Sequence, residues 1–325
     1  MAYSDDVRLL IEIAQMYYEE EAKQVEVAER FNISRSLVSK YLTKAKDLGL
    51  VEIVIHDEQL HPYNQLEKRL KNVLNLSEVI IISSVGETLL KKKLGEAAEK
   101  YLTRILKDNS IVGISAGTTV KEVAKAVTGK INMPNVTFVP MVGGLGTDHT
   151  DFQANVICDI FSKQYGSKMV ELHVPVVVDS IQAKEVFMEQ RYIKSKFQLA
   201  KEADIALVGI GGKPVYSTMT KYYFEEVGAN VINNSNDVIG DICYNFIDRD
   251  GNLSDTDWNS RALTIDLDYL KKIPNVVAIT GGRDKVEAII AASKAGLINT
   301  LVTDSNTAKQ ILKENMYVVS KEEEN

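Results

Sequence analysis

The chain has 325 residues, of which 45% are apolar and 26% charged, a balance typical of soluble globular proteins. This length is enough for two domains, or for a small domain joined to a large one. Its net charge of −7 argues against attraction of nucleic acid to the whole surface, but it leaves room for a local basic patch.

Cysteine, histidine and hydropathy patterns exclude several classes of protein. Cys158 and Cys243 stand alone in apolar contexts, which indicates buried reduced thiols rather than a disulfide or a metal pair. The four histidines lack metal-ligand spacing, so we expect no metal and no cofactor. No apolar stretch reaches membrane-spanning length and no secretory signal pattern is present, so we expect a cytoplasmic protein without a membrane partner.

Residues 1–56 predict three helices followed by a short strand. The first helix lies in SDDVRLLIEIAQMYYEEE, with Ser4 as its N-cap and Ile11 on its apolar face, and the second is QVEVAERF. The third, RSLVSKYLTKAKDL, follows an Asn-Ile-Ser turn, is capped by Ser34 and ends at Gly49. The alternating LVEIVIH then resembles a strand. We interpret this arrangement as an all-α, winged helix-turn-helix domain whose third helix reads DNA.

The third helix has a basic outer face. From Ser34 through Lys46 there are four basic residues and no acid, whereas the first helix is acidic. Arg and Lys suit phosphates and guanine edges, while Ser and Thr can serve either. A solvated amphipathic helix could look the same, but the helix spacing, the turn and the strand occur together and favour DNA binding. The candidate DNA-binding residues are Gln24, Arg35, Ser36, Ser39, Lys40 and Lys44.

A large α/β domain is predicted over residues 64–325, after a polar linker at 57–63 that contains Pro62. Apolar strand candidates alternate there with amphipathic helices, which favours a Rossmann-like, mostly parallel sheet covered on both faces. The strands are EVIII, SIVGIS, NVTFVPMV, KMVELHVPVVV, DIALVGIG, NVVAIT and INTLVT. The segment DICYNFIDRDGNLSD breaks this rhythm, and its alternation together with the turn DRDGN predicts a hairpin.

Four loops at strand ends are rich in glycine or hydroxyl groups: SAGTT (115–119), GGLGT (143–147), GIGGKP (209–214) and TGGRDK (280–285). Each alone is weak evidence, because glycine often only supplies a positive φ angle. Ligands of parallel sheets bind beyond the carboxyl ends of the strands, where these loops should meet. The strand-to-helix junction at Thr118 offers free N–H groups at a positive helix end. With the ammonium of Lys285, it predicts a phosphate site.

Nearly the whole chain resembles one family. The motifs VAERFNISRSLVSKYLTKAKDLGLVEI, GISAGTT, VPMVGGLG, VGIGG, GDICYNFIDRDG and AITGGRDKVEAIIAASKAGLINTLVTD occur in this order. Together they resemble the SorC-type sugar-binding bacterial transcription regulators, and segment 276–304 is the most specific. The resemblance implies an operator-binding domain and an effector domain that is similar to sugar-phosphate isomerases but lacks their activity. It also implies three partners: operator DNA, a small phosphorylated sugar, and the chain itself in a homodimer or homotetramer.

The resemblance also assigns effector-binding residues. Carried onto this sequence they are Ser115, Gly117, Thr118 and Thr119 at the phosphate, the pair Gly143–Gly144, Gln153, Asp241 at the sugar hydroxyls, and Lys285. From the residues alone, Asp241 could instead cap a turn, Gln153 could be solvated, and Lys285 could pair with Asp284 or Glu287. Several relatives have Arg or Lys before the Gly-Gly pair, where this chain has Val142. We therefore expect a singly phosphorylated sugar that is held noncovalently.

An enzyme is the alternative to a regulator. A sugar-phosphate isomerase or deaminase with an accessory DNA-binding module needs a base at the C1–C2 carbons of the sugar. Asp241 is the one acid that the sequence places in the cleft, so we expect no catalysis. The sequence also lacks a dinucleotide fingerprint, a P-loop and a nucleophile elbow, which argues against a nucleotide-sensing regulator and a serine hydrolase.

Overall fold

The computed structural model describes residues 5–51, 61–128, 131–146, 150–214 and 237–322. The chain divides into two compact units, Met1–His61 and Pro62–Asn325. Ser4, His149, most of the strand predicted at 50–56 and most of the linker predicted at 57–63 lie outside the described residues.

The described part of the first unit contains three helices, as the sequence predicts: α1 (Asp5–Tyr18), α2 (Gln24–Phe31) and α3 (Arg35–Asp47). Their apolar faces meet in one small core. Its buried residues are Ile13, Ala14, Val27, Ala28, Val38, Leu42 and Ala45. On α1 it is Ile13, rather than the predicted Ile11, that is fully buried, because α1 turns its Leu10–Ile13–Ala14 edge toward α3.

The two ends of α3 are closed by the residues that the sequence predicts. The Ser34 hydroxyl accepts a hydrogen bond from the Leu37 N–H (3.2 Å) and caps the first turn. At the other end, Gly49 has a φ angle of 70°, and the Leu50 N–H reaches back to the Ala45 carbonyl (2.9 Å). This is a Schellman closure, which needs a left-handed residue at Gly49.

The cap at Ser34 should contribute measurably to stability. We expect Ser34→Ala to lower the free energy of unfolding by about 1 kcal/mol, because the Leu37 N–H loses its acceptor. Ser39→Ala on the exposed face of α3 is the matched control and should change stability by less than about 0.5 kcal/mol. Urea unfolding of the full chain, followed by circular dichroism, measures both. Equal losses in the two variants would contradict the capping role.

The second unit contains ten described strands: β1 (Glu78–Ile82), β2 (Ile111–Ile114), β3 (Thr137–Pro140), β4 (Lys168–Met169), β5 (Ile205–Val208), β6 (Ile210–Gly211), β7 (Gly240–Ile242), β8 (Asn245–Ile247), β9 (Asn275–Ile279) and β10 (Thr300–Asp304). Seven form a parallel sheet in the order β1-β10-β9-β5-β2-β3-β4. The other three form a small antiparallel sheet. This confirms the predicted α/β class with its mostly parallel sheet.

Helices cover this sheet on both faces. The described α-helices of the second unit are α4 (Asn64–Val73), α5 (Glu87–Ile105), α6 (Thr118–Ala126), α7 (Ala154–Tyr165), α8 (Ile181–Glu189), α9 (Arg191–Lys201), α10 (Asp257–Arg261), α11 (Leu267–Leu270), α12 (Val286–Lys294) and α13 (Ser305–Glu322). Successive strand residues enter different apolar clusters: Val276 and Ala278 pack into one, Val277 and Ile279 into the other. Such a doubly covered sheet requires the uninterrupted apolar strands of this sequence. No described helix is long and apolar enough to cross a membrane.

Strand order reverses between β2 and β5. From β2 the chain proceeds outward through β3 to β4, whereas from β5 it proceeds the other way through β9 to β10. In open parallel sheets such a switch point opens a crevice beyond the carboxyl ends of the strands. The loops that follow β2 and β5 therefore flank the expected ligand position.

Two strand predictions need correction. The segment predicted as one strand at 168–178 is strand only at Lys168–Met169. After Met169 the segment forms backbone hydrogen bonds to two other segments. The Val176 N–H donates to the Gly144 carbonyl, and the Leu263 N–H donates to the Val176 carbonyl (2.7 Å each). These partners belong to loops, and they draw the segment away from the sheet.

The hairpin is confirmed, but its reversal lies elsewhere. The residues DRDGN form a second, later turn, which is closed by a hydrogen bond from the Asp248 N–H to the Asn252 carbonyl (3.0 Å). The hairpin itself reverses at Cys243 and Tyr244, whose φ angles are 50° and 61°. Non-glycine residues rarely adopt this conformation. Here the buried Asn245 amide supports it, because it donates to the Cys243 carbonyl (3.3 Å).

Candidate functional site

A cavity of about 700 Å³ opens at the carboxyl edge of the parallel sheet. The segments that follow five strands line it, on both sides of the switch point. They are Ser84 and Val85 after β1, Ala116 to Thr119 after β2, Gly209 to Gly212 after β5, Gly281 to Lys285 after β9, and Asn306 and Thr307 after β10. The β7–β8 hairpin adds Asp241, Cys243 and Tyr244. Thr118 and Lys285 therefore share one cavity.

The N-terminus of α6 opens on this cavity without a side-chain cap. Its N-cap is Gly117, with a φ angle of 142°, and this residue has no side chain with which to accept a bond from the first turn. The Gly117 N–H is held by the Phe152 carbonyl (2.9 Å). The N–H groups of the first turn, from Thr118 onward, have no carbonyl one turn back in the helix. An anion with oxygen acceptors complements this end.

A second helix N-terminus at the cavity, that of α13, is already neutralised. Asp304 Oδ1 accepts hydrogen bonds from Asn306 N (3.0 Å) and Ser84 Oγ (2.6 Å), and Oδ2 accepts one from Thr307 Oγ1 (2.5 Å). Burial alone would raise the pKa of Asp304, but these hydrogen bonds outweigh it and hold the pKa below its ordinary value. Because this carboxylate occupies the α13 end, α6 is the better end for a ligand.

Asp241 provides a buried carboxyl group in the cavity wall. It pairs with Gly211 across the small sheet, and a Cβ at Gly211 would lie 2.0 Å from Asp241 Oδ1, so a side chain at this position would displace the Asp241 carboxyl group. Burial raises the pKa of Asp241 to about 7, although the Lys285 charge and the Tyr244 N–H both act to lower it. Near neutral pH this group can therefore accept or donate a hydrogen bond to a ligand hydroxyl.

Lys285 places an ammonium in the same cavity. Its Nζ donates to the Gly281 carbonyl (3.3 Å), and burial lowers the pKa of its ammonium. From the sequence, Glu287 could have been an ion-pair partner of Lys285, but in the structure it pairs with Lys213 (3.6 Å). Thus Lys285 keeps donors available for an anionic ligand.

Four predicted effector residues lie outside the cavity lining. Ser115 joins the loops after β2 and β5, since its buried Oγ accepts from Gly209 N–H (3.3 Å). Gly143 packs so closely that a Cβ would lie 2.4 Å from the Pro175 carbonyl oxygen, and Gly144 pairs with the same segment. Gln153 Nε2 donates to the Gly146 carbonyl (2.8 Å). These residues shape the loops, whereas Gly117, Thr118, Thr119, Asp241 and Lys285 line the cavity together.

Several lining residues are not among those predicted from the sequence. Ser84, Lys91, Tyr244, Asp304 and Thr307 lie in stretches that resemble ordinary turns or helix surfaces. Only Asp304 had a readable signal, because an Asp at a strand end followed by Ser-Asn-Thr is a helix N-cap pattern.

The thiols and acids offer no metal centre within the described ranges. Cys158 and Cys243 are both buried and unbonded, which confirms the prediction of buried free thiols, and burial raises the pKa of each. Among the described residues, no cluster of His, Cys, Asp and Glu side chains has the arrangement of a metal site.

The first unit presents its basic face on α3. The predicted DNA-binding residues of that helix are all exposed: Arg35, Ser36, Ser39, Lys40 and Lys44. Gln24, at the start of α2, is half-buried. Lys46 lies over the Tyr18 ring, 5.6 Å from its centre, at the far end of α3. The unit therefore carries the helix-turn-helix geometry with an open polar stripe on its third helix.

A helix-turn-helix unit, joined in one chain to an α/β unit with a polar cavity at its switch point, defines a ligand-controlled transcription regulator. The family model Sugar-bind, described as "Putative sugar-binding domain", matches residues 59–313. The chain belongs to this family, as one of its SorC-type, sugar-responsive transcription regulators.

Similar proteins match along almost the whole chain. The sorbitol operon regulator of Klebsiella pneumoniae is 28% identical over 321 residues, which cover 96% of this chain and 100% of the relative. Its full-length crystal structure matches with a TM-score of 0.68 over 95% of this chain and all of that one. The deoxyribonucleoside regulator of Bacillus subtilis is 27% identical over 94% of this chain and 97% of its own length. These relatives support a regulator and not the enzyme alternative.

Proposed function

We propose that α3 binds operator DNA and that a phosphorylated sugar in the cavity controls this binding. The observation that carries the proposal is the uncapped N-terminus of α6, which shares one cavity with the Lys285 ammonium. Backbone N–H groups, the Thr118 and Thr119 hydroxyls and an ammonium together suit a phosphate. The Asp241 carboxyl group then suits the sugar hydroxyls.

The relatives support a carbohydrate as the effector. One is named for a sorbitol operon and another for deoxyribonucleosides; sorbitol is a sugar alcohol, and a deoxyribonucleoside contains a hydroxylated sugar ring. Val142 is buried in the apolar core and supplies no cation, so one phosphate and a noncovalent complex fit the site best. In this proposal the chain acts on DNA in the cytoplasm as a homodimer or homotetramer, and effector binding changes the spacing of the two reading helices.

The proposed site binds its ligand without converting it. Isomerisation would need a base poised at the C1–C2 carbons, together with an acid that moves the second proton. Four carboxylates of the described chain line the cavity: Glu87, Asp241, Asp284 and Asp304. Asp304 is occupied by the α13 cap, and Glu87 and Asp284 are exposed, so the buried Asp241 has no buried carboxyl partner among these four for a second proton transfer. A coupled assay of sugar-phosphate interconversion tests this, and turnover at enzyme-like rates would favour the isomerase alternative.

A panel of sugar phosphates should identify the effector by thermal shift. At 100 times its Kd, a specific ligand stabilises the fold by about 2.7 kcal/mol, which raises the melting temperature by several degrees. We expect one sugar phosphate to do so and the corresponding free sugar to have no comparable effect. Thr119→Val should reduce the shift, because it replaces a hydroxyl donor with a methyl group of similar size. Stabilisation by free sugars but by no sugar phosphate would contradict the proposal.

A further inference from the structure

Lys91 is a lining residue to which the sequence motifs assign no role. It lies in the second turn of α5, within the lysine triplet 91–93. The triplet divides by environment: Lys93 pairs with Glu96 (2.7 Å), Lys92 is exposed, and Lys91 is half-buried against the cavity. Glu87, one turn earlier, forms no ion pair with Lys91 in the described chain. An ammonium kept half-buried without a described carboxylate partner suits an external anion.

The packing of α5 on α6 carries Lys91 to the proposed phosphate position. Each helix begins at the carboxyl end of a strand, β1 or β2, in the same parallel sheet, so the two helices run in the same direction. They cross at Gly95, where a Cβ would lie 2.6 Å from the backbone carbon of Glu122. One turn back from Gly95 is Lys91, and one turn back from Glu122 is Thr118. Lys91 therefore lies beside the open first turn of α6.

Lys91 is also close enough to Lys285 to act on its ionisation. The positive charge of Lys91 adds to burial in lowering the pKa of Lys285, while Asp284, Asp241 and Glu87 act in the opposite direction. Two ammonium groups and a helix N-terminus thus surround one part of the cavity. Their mutual repulsion is relieved when an anion lies between them.

We propose that Lys91 binds the phosphate of the effector directly, together with the first turn of α6 and Lys285, and thereby selects ligands by charge. This inference rests on the proposed function and adds a residue to its site. The close contact at Gly95 is then a positioning feature, because it sets how near the Lys91 ammonium comes to Thr118.

Titration with inorganic phosphate tests the inference, with thermal stabilisation of the full chain as the readout. We expect Lys91→Met to weaken the apparent phosphate affinity at least fivefold. Lys92→Met, the matched change one residue along the same helix, should leave it within about twofold. Lys91→Arg should retain most of the affinity because it keeps the cation. In phosphate-free chloride buffer, the melting temperature of Lys91→Met should be no lower than that of the wild type, because the substitution also removes the charge repulsion between Lys91 and Lys285.

The outcomes separate this inference from the proposed function. If phosphate stabilises the wild type but Lys91→Met and Lys92→Met respond alike, the Lys91 role is wrong and the anion site stands. If Lys91→Met melts below the wild type by the same amount in chloride as in phosphate, Lys91 has a structural role and the inference fails. If neither inorganic phosphate nor any sugar phosphate stabilises the wild type, the proposed function fails and this inference fails with it.

Discussion

Replacing Asp304 with Asn should lower the free energy of unfolding by about 3 kcal/mol, more than most single substitutions do. The carboxylate accepts hydrogen bonds from Ser84 and Asn306 at Oδ1 and from Thr307 at Oδ2, so both of its oxygens must act as acceptors. Thr307 Oγ1 itself accepts from Gly282 N–H (2.8 Å), so its single proton must point at Asp304. In Asp304→Asn, an amide NH₂ at the position of Oδ2 would face the Thr307 hydroxyl proton, so two donors would meet. The Thr307 hydroxyl would then be a buried donor without an acceptor.

The pH dependence of the same variant gives an independent measurement. Hydrogen bonds hold the folded-state pKa of Asp304 below the unfolded-state value of about 3.9. The ionised carboxylate therefore contributes its full stability above that pH and loses it as the pH falls through the folded-state pKa. The stability difference between wild type and Asp304→Asn should accordingly shrink below about pH 4. Asp284→Asn, an exposed carboxylate at the same cavity, should change stability by less than about 0.5 kcal/mol at any of these pH values.

Asp304→Asn should also weaken effector binding. The bonds from Gly282 through Thr307 to Asp304 fix the loop that carries Lys285. If the variant lost stability but bound the effector as tightly as the wild type, this loop would not need the α13 cap for its position.

The sequence predicts the fold well where one physical signal dominates. Uninterrupted apolar runs predict strands such as Asn275–Ile279, because a strand buried on both faces has no polar side to show. Ser34 and Gly49 mark the ends of α3 by their own chemistry. The strand predicted at 168–178 was wrong because its partners, near Gly144 and Leu263, come from distant loops that periodicity does not reveal. Likewise, the Cys243–Tyr244 reversal depends on a buried amide from Asn245 rather than on turn residues.

The candidate site was predictable only in part, for a similar reason. Thr118 and Lys285 stand out locally, as a hydroxyl at a helix start and a lysine after paired glycines. Lys91 does not, since three successive lysines look alike until the Gly95–Glu122 contact shows which of them faces α6. In the other direction, Gln153 and Gly144 resemble ligand residues in sequence, whereas in the structure each bonds to a neighbouring loop. Local composition identifies donors, and tertiary packing decides which donors reach the cavity.

Removing two side chains from the open face of α3 should nearly abolish specific DNA binding. We expect Arg35→Ala combined with Lys40→Ala to weaken operator binding about a hundredfold or more, because each base or phosphate interaction that is removed costs about 1–3 kcal/mol. The slope of log affinity against log salt should fall by about one for each phosphate that the variant no longer neutralises. Fluorescence anisotropy with an operator fragment selected in vitro, at several salt concentrations, measures both quantities.

Comparison with nonspecific DNA separates base reading from phosphate binding. Arg35, at the first position of α3, should read a base edge, so Arg35→Ala should reduce affinity for the operator more than for unrelated DNA. Lys44, in the third turn of the same helix, should bind the DNA backbone, and Lys44→Ala should weaken both complexes equally. Arg8→Ala is the control, because Arg8 lies on the acidic α1 and pairs with Glu12 (3.1 Å). If Arg8→Ala weakened operator binding as much as Arg35→Ala, net charge and not the α3 face would govern recognition.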